Sequence, residues 1–284
     1  MARTARVSSR RRILLQIIVG VVVLVVAVAV AIGVSLGTRS TTNSAHSATP
    51  AAPTTAASDV IGKVTGVPAS VFDAVGPGTA QAAPSKIDAP ALTQNGKPLI
   101  TYIGGEFCPY CAAERWPLAV ALSRFGTLSG LGEATSAPSP EVYPSTSTLS
   151  FHGATLTSDY LALDAKEIFD EQHNPLDKLT TSENALLTKY DAPPYTQSTG
   201  SIPFVDIGGA WVLSGAQYDP GVLKGLSQAQ IAADLADPGS AVAKSVIGTA
   251  NVLTVGLCQQ TAGKPATVCQ SAGVKAAAAA MGVK

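Results

Sequence analysis

Two cysteines held two residues apart, Cys108-Pro109-Tyr110-Cys111, are the side chains of this chain best suited to chemistry. A thiolate is the nucleophile of thiol–disulfide exchange, and a second thiol close by releases the mixed disulfide that the first one forms. The same spacing fits a static disulfide or half of a zinc site, so by itself it leaves three readings open. The flanking residues bear on the choice. Leu99-Ile100-Thr101-Tyr102-Ile103, just upstream, reads as a buried strand. Downstream, Leu118, Ala121, Leu122 and Phe125 recur at helical spacing and Gly126 offers a stop. The cysteines therefore fall where a strand turns into a helix. Cys108 lies near the helix N-terminus, with Pro109 in a first turn that tolerates proline. Free N–H groups and the positive dipole end there favour an anion and can draw a cysteine pKa from roughly 8.5 into the range of roughly 3.5–7.5. Cys111 comes about one turn later. The expectation is an exposed attacking thiol and a shielded resolving thiol, with Tyr110 between them either exposed as a substrate contact or partly buried as a packing residue.

Other side chains offer less. Glu106, Glu114 and Arg115 flank the pair; Glu114 and Arg115 read as a solvated helix face, or as groups that tune the Cys108 thiol. His46 lies in a polar stretch, and neither His152 nor His173 has a partner at metal-ligand spacing. No metal and no cofactor is expected. Phosphate loops and HExxH are missing from the sequence. Cys258 and Cys269, ten residues apart, are read as a structural disulfide closing a short loop, which contributes about 2–3 kcal/mol in the chain-entropy model. The competing reading is a second redox pair that relays electrons to Cys108 and Cys111.

The string Cys-Pro-Tyr-Cys is similar to the glutaredoxin active site. The longer string Cys-Pro-Tyr-Cys-Ala-Ala-Glu-Arg-Trp from Cys108, followed by Ala-Leu-Ser-Arg-Phe-Gly over 121–126, resembles the thioredoxin-like family called domain of unknown function 929, over a span of about Val60 to Cys269. This resemblance implies a thioredoxin-like fold, with Pro203 as the cis-proline that opens the third core strand beside the cysteines. Ile202 and Pro203 would then touch substrate, and Pro203 would align its backbone. The kink expected from Pro117 is compatible with such a helix.

The elements that must position the pair follow from pattern. Residues 130–135 offer a second strand, and Thr148–Phe151 and Tyr160–Leu163 two more, read as a hairpin inside an insertion over 138–175. Asp177–Tyr190 fits a helix with Leu179, Leu186 and Leu187 inward. Phe204–Ile207 and Trp211–Leu213 form a hairpin through Gly208-Gly209. Ser227 caps a helix carrying Ile231 and Leu235. Ser240–Leu257 is a further helix, too polar for a membrane span, and the alanine-rich stretch from Ala272 adds a last turn or two.

Upstream of all this the chain changes character. Five arginines lie within residues 1–12, and the apolar run Ile13–Leu36 would be about 36 Å long as a helix, enough to cross a hydrocarbon core of about 30 Å. The positive-inside rule sets residues 1–12 in the cytoplasm and the rest outside; the competing reading is a cleaved signal peptide. Residues 37–58, rich in Thr, Ser, Ala and Pro, read as a flexible stalk, and 59–284 as an α/β domain with C-terminal helices. Beyond the five arginines the chain carries 14 of its 19 basic residues against all 19 acidic ones, so no nucleic acid is expected as a partner. The expected protein is a single-pass, cell-membrane thiol–disulfide oxidoreductase with an extracytoplasmic domain, acting on protein thiols or disulfides with a redox partner. The alternative is a non-catalytic binding or assembly module whose cysteines are inert staples.

Overall fold

In a computed structural model the structure describes residues 55–283, and side-chain environments from residue 59. The arginine-rich start, the expected span 13–36, His46 and the stalk up to residue 54 lie outside the described residues. The stalk's expected end at residue 58 is corrected: helix α1 begins at Thr55 and runs to Thr65. Alanines favour helix, and burial of Val60 and Val64 anchors this one.

A mixed sheet organises the domain. Its central strand β3 (Lys97–Gly104) pairs in parallel with β8 (Ala162–Glu167) and antiparallel with β9 (Phe204–Ile207). Strand β9 then pairs with β10 (Trp211–Ser214), and β10 with the short β1 (Ser85–Lys86). A two-residue strand β2 (Thr93–Gln94) folds back on the start of β3 through Asn95-Gly96, both with positive φ. Side chains alternate across the sheet. Ile100, Tyr102, Val205, Ile207 and Leu213 join the large core, while Ile103, Phe204 and Val212 join a smaller cluster with Tyr190 on the other face.

Helix α3 (Pro109–Ser123) and helix α6 (Ala241–Gln260) pack together on the large-core face. Helix α2 (Ala69–Val75) and helix α8 (Ala272–Ala280) lie against α6, while α5 (Gln228–Asp234) packs against α1. Helix α4 (Thr181–Tyr190) covers the smaller cluster and starts four residues later than the expected Asp177, after its cap Thr180; Leu186 and Leu187 are half-buried on it, while Leu179 packs on the same cluster from the preceding loop. Ser227 and Ser240 cap α5 and α6, the side chain of each accepting a backbone N–H. The reading of α6 as too polar for a span is corrected: by length and composition it could cross a membrane, and it lies buried in the core. Cys258, in its last turn, is disulfide-bonded to Cys269, the last residue of α7 (Ala266–Cys269), with Cα atoms 5.6 Å apart.

The reading of 138–175 as an insertion carrying its own hairpin is corrected. Tyr160–Leu163 does not pair with Thr148–Phe151. β8 is a strand of the main sheet, and β6 (Ser147–Ser150) pairs with β5 (Gly132–Thr135) instead. A second ribbon joins β4 (Thr127–Ser129) to β7 (Thr155–Thr157). Alternation reveals a strand but not its partner, and the parallel pairing of β8 with β3 reaches across about sixty residues.

Candidate functional site

The site is built where β3 ends. Tyr102 points into the large core beneath the last residues of the strand. A Cβ on Gly104 would lie 2.1 Å from its hydroxyl, so the chain can pass only as glycine. One turn later Cys108 caps α3 with extended backbone, φ −79 and ψ 122, and Pro109 takes the first helical position. The Cys108 sulfur accepts the Cys111 backbone N–H at 3.3 Å, which places it over the open end of the helix. Across from it, the thiol lies 3.7 Å from the Ile202 carbonyl, in a cis peptide with the buried Pro203 just before β9. Thus Cys108, Cys111, Ile202 and Pro203 come together, and Tyr110 stands exposed beside them.

The two thiols are unequal. A hydrogen bond from the Cys111 side chain holds Cys108 below the ordinary cysteine value, helped by backbone N–H groups of Cys111 and Tyr110 and by the charge of Arg115; burial works against them. Burial pushes Cys111 well up, and its hydrogen bond to Cys108 and proximity to that sulfur push the same way. Both are free thiols. The expected exposure of Cys108 is corrected: it keeps only 7% of its surface against none for Cys111, because Ile202 and the turn at 105–107 close over it.

Glu114 and Arg115 correct the sequence reading more sharply, for both are fully buried. The Arg115 guanidinium makes a two-pronged pair with Glu167 at 2.7 Å on each oxygen and donates to the Gly105 carbonyl at 2.6 Å. Glu167 also accepts the Phe151 N–H at 3.2 Å. Fully desolvated, such a pair holds its geometry only through these added bonds. Arg115 stays charged, its pKa raised by Glu167 and Tyr102 against its burial, and it brings a fixed positive charge under the cysteines. Glu114 has a single hydrogen bond, from the Gln217 N–H at 3.1 Å, and burial pushes its pKa to about 8, so it is neutral at pH 7. Glu167 escaped the sequence reading because its strand was assigned to the insertion. One signal was available. Helix α3 is apolar nearly all round, with Ala112, Ala113, Trp116 and Leu118 on successive faces, and a helix of that kind is buried with its charges.

Pro117 has no N–H to give the Ala113 carbonyl. The Tyr218 hydroxyl donates to that oxygen at 2.8 Å, and the Thr148 hydroxyl donates to the Ala112 carbonyl at 2.7 Å. Tyr218 thereby replaces the bond that Pro117 removes, and Thr148 adds a tie from β6 to the turn that follows Cys111. Around the mouth, the Phe107 and His173 rings stack at 4.2 Å, and Tyr110 meets Tyr143 edge-on at 5.9 Å. His152 lies 3.0 Å from Asp177 on the outer edge. Among the described residues no group of three or more His, Cys, Asp or Glu side chains is arranged to hold a metal.

Residues 83–259 match the family described as a domain of unknown function, DUF929. This chain belongs to the DUF929 family. The family stretch opens just before β1 and ends within α6, so it is shorter at both ends than the span the sequence resemblance gave. It holds Cys108, Cys111, Arg115, Glu167 and Pro203, and it leaves Cys269, α1, α2 and α8 outside. No curated protein and no solved structure matches the chain.

Proposed function

We propose that this DUF929 protein is a membrane-anchored, extracytoplasmic thiol–disulfide oxidoreductase of thioredoxin-like fold, acting on protein thiols or disulfides. The fold reading is supported by the strand order β8–β3–β9–β10, with β8 parallel to β3, β9 antiparallel, and helices α3, α4 and α6 between and after them. The observation that carries the function is the inequality of the two thiols at the start of α3. Cys108, whose thiol is lowered at a helix N-terminus, attacks or is attacked; Cys111, buried and raised, resolves. Ile202 and Pro203 form the opposing wall, against which an extended substrate backbone lies. Tyr110 supplies exposed contact surface. The anchor rests on the arginines and apolar run at residues 3–36, and the outside location agrees with a disulfide at Cys258–Cys269.

The test uses single-cysteine variants of the full chain expressed in its own membrane. Cys111→Ser keeps the attacking thiolate and loses the resolver, so covalent adducts with other proteins accumulate on a non-reducing gel. Cys108→Ser forms few. Equal adduct levels refute the assigned roles, and no adducts in either variant refute the enzyme. Topology has its own check. Protease added to spheroplasts digests residues beyond 37, and protection until the membrane is breached would reverse the orientation.

A further inference from the structure

We propose that the face around Cys108 docks a cationic, cysteine-bearing segment of extended polypeptide. The proposal rests on the exchange reading above and names the substrate class of that site. Among the described residues only two large apolar side chains are exposed, Tyr110 at 41% and Val142 at 72%. Tyr110 stands beside Cys108, and Tyr143, which follows Val142 in the chain, meets its ring edge-on. Isolated exposed apolar residues are ordinary; an exposed tyrosine between the two cysteines, with a second aromatic ring against it, is a contact surface for apolar groups on a partner.

A cavity of about 470 Å³ lies next to Phe107, lined by Ala137, Pro138, Pro140, Glu141, Glu171 and His173 among others. Both of its sides reach Phe107, the residue before Cys108. The Ala137 N–H donates to the Phe107 carbonyl at 2.9 Å, and the His173 ring stacks on the Phe107 ring. Charge decides what the cavity takes. The segments that frame the site are 105–110, 135–145, 169–175, 201–203 and 217–219. They hold Glu106, Glu141, Asp170, Glu171 and Asp219 and no lysine or arginine. The nearby cation, Arg115, is buried and paired with Glu167. A one-signed cleft draws opposite charge and repels like charge. Lysines or arginines flanking the partner cysteine are drawn in, and small thiols bearing carboxylates, such as glutathione, are disfavoured.

The exchange itself moves two electrons. The Cys108 thiolate attacks one sulfur of the substrate disulfide; a Cys108–substrate S–S bond forms and the other substrate sulfur leaves as thiolate. Cys111 gives up its proton to solvent and attacks Cys108 Sγ, forming the Cys108–Cys111 bond and releasing the second substrate thiolate. The reverse sequence oxidises a dithiol.

The reduced full chain is mixed in a single turnover with two peptide disulfides of equal length, one with lysines flanking the cysteine and one with glutamates. Each rate is divided by that of dithiothreitol with the same peptide, which removes the peptides' own reactivity. The lysine peptide is expected to react faster by about tenfold at low salt. The preference collapses near 1 M salt, where the Debye length is about 3 Å. It also falls in an E141Q/E171Q variant. Equal ratios at low salt, or a preference unchanged in that variant, overturn the docking surface while leaving exchange intact. Failure of both peptides to exchange overturns the oxidoreductase reading and this proposal with it.

Discussion

The two cysteine pairs of this chain meet helices at opposite ends. Cys108 caps the N-terminus of α3, where free N–H groups and the positive end of the dipole favour a thiolate. Cys258 lies in the last turn of α6 and Cys269 closes α7, where unpaired carbonyls disfavour one. The first pair is free and lies against the Ile202 carbonyl; the second is bonded and ties the C-terminal helices together. The element that receives a cysteine, and which end of it, separates a thiol suited to exchange from one suited to holding structure.

The largest expected effect falls on the charge that supports the first pair. Arg115→Met leaves Glu167 buried and unpaired, and breaking a buried pair in this way costs about 3–5 kcal/mol. Chemical denaturation measures it, and the double variant Arg115→Met/Glu167→Met should recover most of the loss. Any double variant that still folds should show a raised Cys108 thiol pKa, since the fixed positive charge is gone.

The second pair should behave in the opposite manner. Replacing Cys258 and Cys269 together by serine is expected to cost about 2–3 kcal/mol of stability, the loop-closure contribution. It should leave the rate of exchange at Cys108 within about twofold, a margin that corresponds to under about half a kcal/mol. A large fall in exchange without loss of folding would revive the electron relay.

A smaller effect concerns Glu114, three residues beyond Cys111. Its folded pKa of about 8 exceeds the ordinary carboxyl value, so the folded state holds a proton that the unfolded state has lost. Stability contributed by this group is therefore whole below about pH 4.5 and falls as pH rises toward about 8. Glu114→Gln should flatten that slope, read as melting temperature against pH. A slope unchanged in the variant would assign the pH dependence elsewhere. The mildest test is alkylation by iodoacetamide against pH. Its midpoint at Cys108 should fall below the usual value of about 8.5, while Cys111 in a Cys108→Ser chain stays slow across the neutral range.

Much of the site could be read from the sequence because its signals are local. The spacing of Cys108 and Cys111 after an apolar run, the tolerance for Pro109 and the cap at Ser227 each depend on a few neighbouring residues. The hairpin through Gly208-Gly209 is of the same kind. Long-range pairing erased the rest. Nothing near Ala162–Glu167 says that it will lie parallel to β3, and once that strand is misplaced Glu167 cannot be seen as the partner of Arg115. The three-residue strands β4 and β7 are too short to show a period. Polarity misled at Glu114 and Arg115, where composition of the surrounding helix was the better guide.

The most direct measurement equilibrates the full chain across a graded redox buffer of an uncharged thiol and its disulfide, quenches it with an alkylating agent and maps which cysteines are modified. Cys108 and Cys111 should pass together from alkylated to protected at a potential well above about −300 mV, with the Cys258–Cys269 bond intact throughout. A Cys108–Cys111 pair that never changes state across the series, or one that changes only together with Cys258 and Cys269, would contradict the division of labour between the two pairs.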